Sequence, residues 1–211
     1  AVENDYWWFK VRREILVELT TKFVIPGSRA LDLGCGTGFI AQKLIKYYDL
    51  CLVDSDKEAL DICKDRGLCG INASIHHLPF EDSTFDLVCC FDVLYHRSVQ
   101  PYETALNEIF RVLNKGGHVV IAEPAFSFLS NLEGRADHAA KRFTKKEIQN
   151  CLDKFGFQII MHGYFNTILF TFILMARIGQ NIKPIFGFSE KKKIEFQPLP
   201  RFFNDLFTYL F

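Results

Sequence analysis

The sequence predicts an α/β protein built on a doubly wound, mostly parallel sheet, and three observations predict it. Short apolar runs alternate with helix-period segments between residues 30 and 122, three glycines crowd the junction between the first run and the helix after it, and residues 85–91 (Phe-Asp-Leu-Val-Cys-Cys-Phe) are apolar almost throughout. Strands joined through helices need crossover connections, which run parallel and right-handed. A strand that is apolar on both sides belongs in the middle of a sheet covered on both faces.

Residues 3–23 read as a helix, with Trp7, Trp8, Val11, Ile15, Leu16 and Leu19 near 3.6 spacing and a stop at Pro26-Gly27. Residues 30–33 are then the first strand, 38–47 a helix, 50–54 the second strand, 57–65 a helix and 70–74 the third strand. After the turn-forming Glu81-Asp82-Ser83-Thr84 come the fourth strand at 85–91, a helix over 101–113 closed by Asn114-Lys115-Gly116-Gly117, and a fifth strand at 118–122. Thr144 is an N-cap with Glu147 at the capping-box position, and Phe157 to Met161, following Gly156, are expected as a sixth strand. One domain is expected: a core over residues 1–161 with an N-terminal helical lid, and an apolar helical cap or insertion over 162–211.

Of the 211 residues, 49% are apolar, and 25 Lys plus Arg balance 25 Asp plus Glu, so no net field draws the molecule to nucleic acid. The first ten residues lack the order of a secretory signal, and the seven cysteines include no CxxC pair, so the chain is expected to be cytoplasmic with reduced thiols. No metal site is expected. His76 and His77 are adjacent, so on a strand they would point to opposite faces, and Cys63 with Cys69 lacks a second ligand pair.

The chemistry concentrates at the end of the first strand. Leu31-Asp32-Leu33-Gly34-Cys35-Gly36-Thr37-Gly38 places alternating glycines at the carboxyl end of a parallel strand, where a ligand can approach backbone without meeting a Cβ. Asp54, with Ser55 beside it, ends the second strand, where an acid can accept hydrogen bonds from a ribose diol. Together they describe a site for an adenosine-containing cofactor. Dinucleotide binding competes, because Gly36-Thr37-Gly38-Phe39-Ile40-Ala41 fits G-x-G-x-x-A with Asp54 eighteen residues beyond Gly36, but Asp32 and Gly34 weigh against it.

These residues resemble the class I methyltransferases, in particular the type 11 group. The resemblance lies in Asp32-x-Gly34-x-Gly36-x-Gly38, in Leu78-Pro79-Phe80 followed by Phe85-Asp86-Leu87-Val88, in Val93-Leu94-Tyr95-His96, and in Glu108-Ile109-Phe110-Arg111-Val112-Leu113-Asn114-Lys115-Gly116-Gly117. It implies a Rossmann-like methyltransferase fold and the cofactor S-adenosyl-L-methionine, with S-adenosyl-L-homocysteine as product. By the same resemblance Gly34, Cys35, Gly36 and Gly38 run along the methionine and ribose, Asp54 binds the ribose hydroxyls, and Asp32 supports the loop. Ser74 and Ile75 stand on the adenine side, where the family commonly has an acid four residues before the Leu-Pro-Phe leucine and this chain has Ser74. Phe91 and Asp92 flank the methionine tail. Tyr6-Trp7-Trp8-Phe9 with Arg12 and Arg13 looks like the family's N-terminal lid, placing Tyr6 and Trp7 against the cofactor.

Methyl transfer is an in-line displacement, so positioning supplies much of the rate and a base is needed only for a protonated acceptor. His96 is the candidate base, with Tyr95 beside it; a histidine that only shapes the pocket is the alternative. His138 and Arg142 resemble a segment of relatives acting on sugars or lipid-linked groups, where they would line the acceptor side. The expected acceptor is a small molecule or a glycan- or lipid-linked group. Ten of the 22 phenylalanines lie in residues 162–211, which suits a cap over the acceptor pocket, a homodimer interface, or peripheral docking on a membrane. The seventh strand of relatives is not found, which leaves open whether the chain continues past Phe211. A non-catalytic cofactor-binding or scaffold protein and an NAD-dependent oxidoreductase remain the alternatives.

Overall fold

The structure, a computed structural model, describes residues 7–125 and 143–165. It opens with helix α1 (Trp7–Phe23), which buries Trp7, Val11, Leu16, Val17 and Thr20 along one stripe. Thr20 avoids an orphaned hydroxyl by donating back to the Leu16 carbonyl at 2.7 Å. Beyond it Gly27, at φ +91°, turns the chain and donates its N–H to Tyr47.

Five strands follow: β1 (Arg29–Leu33), β2 (Asp49–Asp54), β3 (Gly70–Asn72), β4 (Phe85–Phe91) and β5 (Leu113–Ala122). They form one sheet in the order β3-β2-β1-β4-β5, and every pairing is parallel. The connections carry α2 (Ala41–Leu44), α3 (Lys57–Asp65) and α4 (Tyr102–Val112), and α5 (Lys145–Lys154) comes after the sheet. The strand side chains alternate between two cores. Leu31, Leu33, Val53, Val88 and Cys90 pack with Leu106 and Ile109 of α4 and Leu152 of α5 on one face. Ala30, Leu87, Cys89 and Phe91 pack with Leu16 and Val17 of α1 on the other, where Leu52 meets Ala41 and Cys63. Coverage on both faces is the doubly wound arrangement expected from the sequence.

The expected helix over 38–47 is instead the four residues of α2. Gly38 holds φ +75°, which no right-handed helix accommodates, and after Leu44 the chain tightens into i→i+3 turns such as Tyr47 N–H to Leu44. The third strand stops at Asn72 rather than residue 74, because Ser74 leaves the ladder to bridge His77 antiparallel. Asn114 to Gly117 belong to β5 rather than to a separate turn. They form the irregularity between the Phe85–Leu113 and Leu87–His118 pairs, and Asn114 Nδ2 fastens it to Asp86 at 2.7 Å. The expected sixth strand at 157–161 is not a strand. Those residues line an apolar groove of about 1350 Å³ whose other walls include β5 and Ile15 and Leu19 of α1, so the groove stands between them and the β5 edge. Thr144 does cap α5 with a complete capping box to Glu147. The proposed cap over 162–211 lies, past residue 165, outside the described residues.

Candidate functional site

The carboxyl ends of β1, β2 and β4 come together because Leu33 pairs with both Val53 and Cys90. Directly after Leu33, the N–H groups of Gly34 and Cys35 both donate to the Val53 carbonyl, at 2.8 and 3.1 Å, which folds the loop back over the sheet edge. Gly34, Gly36 and Gly38 all hold positive φ, at +74°, +53° and +75°. Their surroundings differ. A Cβ on Gly34 would strike Val93, and one on Gly38 would lie 2.8 Å from Cys63 Sγ, whereas at Gly36 there is nothing within 4 Å. Gly34 and Gly38 are glycines for close packing, and Gly36 faces open space.

Asp54, at the end of β2, accepts the Gly36 N–H at 2.7 Å on Oδ2 and the Asp56 N–H at 2.9 Å on Oδ1. Arg66 ties the far side of the loop through Nη1 to the Thr37 carbonyl at 2.9 Å. Asp32 is 3% exposed, and burial first, then the charge of Asp54, push its pKa up to about 7. Among the described residues it forms no salt bridge, so its carboxyl has a standing preference for a cation. Cys35 is buried, and burial pushes its thiol up, which leaves it an inert wall residue.

Across the cleft, β4 ends in Phe91, which is buried against the α1 face, and in Asp92 at φ +58°. Asp92 donates its N–H to Ala122 at 2.8 Å and meets Arg12 Nη2 of α1 at 2.7 Å. Burial raises the Asp92 pKa, while Arg12 and then His96 pull it down. The loop after Asp92 is held by Glu123, whose carboxylate accepts the N–H groups of Val93, Leu94 and Tyr95 at 3.0, 2.8 and 3.2 Å. Burial pushes the Glu123 pKa up to about 7 against the pull of those donors. Tyr95 and His96 stack with ring centroids 4.2 Å apart, and His96 opens the 3₁₀ turn Arg97–Val99.

Helix α1 roofs the glycine loop: Arg13 lies 4.2 Å from the Phe39 ring centroid, and Glu14 meets Lys43 at 3.1 Å. Trp7 is buried edge-on to Trp8 at the start of that helix. Ser55 is exposed directly after Asp54. On the β3 side Ser74 is exposed, its Oγ accepting the His76 N–H, and Ile75 turns into the core with Leu31, Leu33 and Val53. The Leu78-Pro79-Phe80 loop is fixed from α4. Glu108 accepts the Leu78 N–H at 2.7 Å, and Arg111 donates to the Phe80 and Leu78 carbonyls at 2.7 and 3.2 Å while pairing with Glu108. Tyr6, His138 and Arg142 lie outside the described residues.

Sequence reasoning did not find the loop-holding roles of Glu123, Arg66 and Arg111. Glu123 carried one available signal, an acid immediately after the last apolar residue of a strand at the ligand-binding edge.

Residues 31–121 match a family described as methyltransferase domain. This stretch, 91 of the 211 residues, is similar to methyltransferase domains. The domain's sequence is 41% identical over 93 residues to the uncharacterized protein MJ0638 of Methanocaldococcus jannaschii, covering 43% of this chain and 38% of that protein. It is 33% identical over 122 residues to the ubiquinone/menaquinone biosynthesis C-methyltransferase UbiE of Vibrio vulnificus, covering 51% of this chain and 46% of that enzyme. The chain thus spans less than half the length of either relative. Its fold superposes on a crystal structure of an S-adenosylmethionine-dependent methyltransferase from Thermotoga maritima with a TM-score of 0.61 at 23% identity, over 72% of this chain and 75% of that one. Among the described residues no helix is long and apolar enough to cross a membrane, and no cluster of three or more His, Cys, Asp or Glu is arranged to hold a metal ion.

Proposed function

We propose that this chain binds S-adenosylmethionine along residues 34–38 and transfers its methyl group to a small-molecule, glycan or lipid-linked acceptor. The observation that carries the reading is Gly36. Its backbone is exposed to open space at the carboxyl edge of the sheet, with Asp54 bonded to its N–H and the buried, cation-seeking Asp32 behind the loop. A nucleoside can lie against that backbone, its ribose hydroxyls donating to the lone pairs Asp54 retains, and its positive charge favours ionised Asp32.

When bound, S-adenosylmethionine supplies an electrophilic methyl group on a sulfonium. The chain's part is to orient and enclose. Helix α1 covers the loop and excludes water, and the Glu123-held loop presents Tyr95 and His96 at the same edge. His96 accepts a proton when the acceptor arrives protonated. The likeness to a quinone-biosynthesis C-methyltransferase supports a small acceptor.

Calorimetry with S-adenosylhomocysteine and fluorescence titration with NADH separate this reading from an oxidoreductase. Saturable binding of the first without quenching by the second is expected, and the reverse pattern would overturn it. Transfer of labelled methyl from S-adenosylmethionine to fractionated cell extract then separates an enzyme from a cofactor-binding scaffold.

A further inference from the structure

The amino edge of the sheet, opposite the glycine loop, carries two turns that touch. One is Ile25-Pro26-Gly27, between α1 and β1, and the other is Ile45-Lys46-Tyr47, between α2 and β2. The Gly27 N–H donates to the Tyr47 carbonyl at 2.6 Å and the Tyr48 hydroxyl to the Val24 carbonyl at 3.1 Å, so the two turns form one projection. We propose that this projection docks the protein on the surface of an anionic lipid bilayer. Ile25, Ile45 and Tyr47 enter the interface while Lys22 and Lys46 meet the headgroups. The surface contains no residue of 162–211.

Exposure is the first argument. Each turn presents three consecutive exposed residues. Ile25 is 79% exposed, Ile45 47% and Tyr47 41%. A single exposed aliphatic side chain is ordinary on a protein surface, but three on two bonded turns make a patch. Packing does not account for them, because the same turns already supply the α1-side core with Val24, Leu44 and Tyr48, which are buried.

Charge selects the partner. Lys22 stands in the last turn of α1 and Lys46 between Ile45 and Tyr47, both exposed. Arg29 and Asp49, the first residues of β1 and β2, are register partners whose charges offset each other, Lys43 is taken by Glu14 at 3.1 Å, and Glu18 lies a helical turn back from Lys22. Two ammonium groups therefore flank the three apolar side chains. Lysine stems can lie along apolar surface with their heads in water, and tyrosine suits a boundary that is dry on one side and wet on the other. A cationic rim around an apolar tip is the pattern of interfacial binding to anionic headgroups. A protein partner fits less well. Three side chains of this size cover roughly 500 Å² at most, below the roughly 800 Å² that each partner gives to a stable protein interface.

Docking at this edge leaves the cleft free. The strands run parallel from the projection to the glycine loop, so the site stands a strand's length, roughly 15–20 Å, above the docked edge. Substitutions at the projection should therefore leave cofactor binding unchanged.

Co-sedimentation of the full chain with phosphatidylcholine vesicles, with and without phosphatidylglycerol, tests the assignment. Binding to the anionic vesicles is expected, fading as salt screens the lysines. Ile25→Ser should weaken it on the order of tenfold, the loss from returning one aliphatic side chain to water. Lys22→Gln combined with Lys46→Gln should weaken it on the order of 30-fold at low salt. Ile71→Ser, at an exposed position on the β3 edge, should change little, and every variant should keep the natural affinity for S-adenosylhomocysteine by calorimetry. A full chain that ignores anionic vesicles would overturn the proposal. So would variants at the projection that bind vesicles as well as the natural chain does, which would place the lipid contact elsewhere in the chain. Loss of a homodimer in Ile25→Ser with vesicle binding unchanged would make the projection an interface between copies instead. None of these outcomes bears on the methyltransferase reading, which the calorimetry checks separately.

Discussion

The two banks of the cleft are held in place by different means. On the β1–β2 bank the geometry is backbone geometry: alternate glycines at positive φ, two N–H groups on the Val53 carbonyl, and Asp54 closing the loop from eighteen residues away. On the β4–β5 bank residues 93–95 contain no glycine, and the loop is shaped by one carboxylate, Glu123, reaching across from the neighbouring strand. The first bank is built to admit a ligand against bare backbone, the second to hold side chains at fixed positions. Val93 couples them, since it fills the space beside Gly34 that only a glycine leaves. Each bank should therefore fail differently when damaged.

The largest effect is expected at Glu123. Glu123→Ala leaves three clustered N–H groups without their acceptor, and with each unsatisfied group worth about 1–3 kcal/mol but partly rescued by water, a loss of roughly 3 kcal/mol in urea unfolding is expected. Glu123→Gln retains acceptor oxygen and should lose less. A loss well below 1 kcal/mol for the alanine variant would mean that the loop holds its own shape and that the contrast between the banks is false.

Gly36→Val should separate binding from folding on the first bank. With open space around it and only the left-handed backbone to strain, the substitution should cost about 1–2 kcal/mol of stability, whereas S-adenosylhomocysteine binding should weaken by on the order of 100-fold or more as the Cβ branch fills the approach. Gly38→Val is the control, because its side chain would collide with Cys63 and Leu68, and there the fold itself should suffer more. Equal damage to stability at the two positions would show that Gly36 is only a turn residue.

The same contrast explains what the sequence revealed. A glycine demanded by backbone conformation stands in the sequence as itself, so Gly34, Gly36, Gly38 and the acid ending β2 were legible, as were the central apolar run of β4 and the Thr144–Glu147 capping box. A device made by a long-range side chain is not marked locally. Glu123 bonds to residues 28–30 positions away, and only the fold brings them together. The errors in the elements have the same origin. Gly38 reads as a helix starter although the loop needs its positive φ, Asn114 to Gly117 read as a turn although Asp86 draws them into β5, and the apolar run at 157–161 after Gly156 predicts a strand without showing whether a partner edge lies within reach.

Asp54 tests the junction between the banks' functions. Asp54→Ala should weaken S-adenosylhomocysteine binding by on the order of 1.5–3 kcal/mol, the range for hydrogen bonds to a charged group, and it should also loosen the loop, since Gly36 loses its partner. Calorimetry and hydrogen exchange at residues 34–38 would register the two effects separately. Unchanged affinity in a folded variant would remove Asp54 from the site.

The smallest expected effect concerns the charge beneath the loop. Asp32 has its pKa raised from 3.8 to about 7 by burial and by Asp54, so the folded chain holds the proton more tightly than the unfolded one. A group shifted in that direction contributes stability that is fully present below the unfolded value and is lost as pH rises through the folded one. Between about pH 4 and pH 7 the ligand-free protein should therefore lose stability through this residue, with Glu123, raised from 4.5 to about 7, adding to the slope and Glu108, lowered by Arg111, opposing it. Asp32→Asn removes the penalty of an ionised buried carboxylate without changing its size. It should raise the melting temperature by a few degrees at pH 8, on the order of 1 kcal/mol, and leave it nearly unchanged at pH 5, where Asp32 is already protonated. S-adenosylhomocysteine, which brings an ammonium to this edge, should narrow the pH 8 gap, because the natural carboxylate then gains a cation that asparagine cannot use. A gap that persists undiminished with ligand bound would place Asp32 in the scaffold of the β1 bank and outside the field of the ligand.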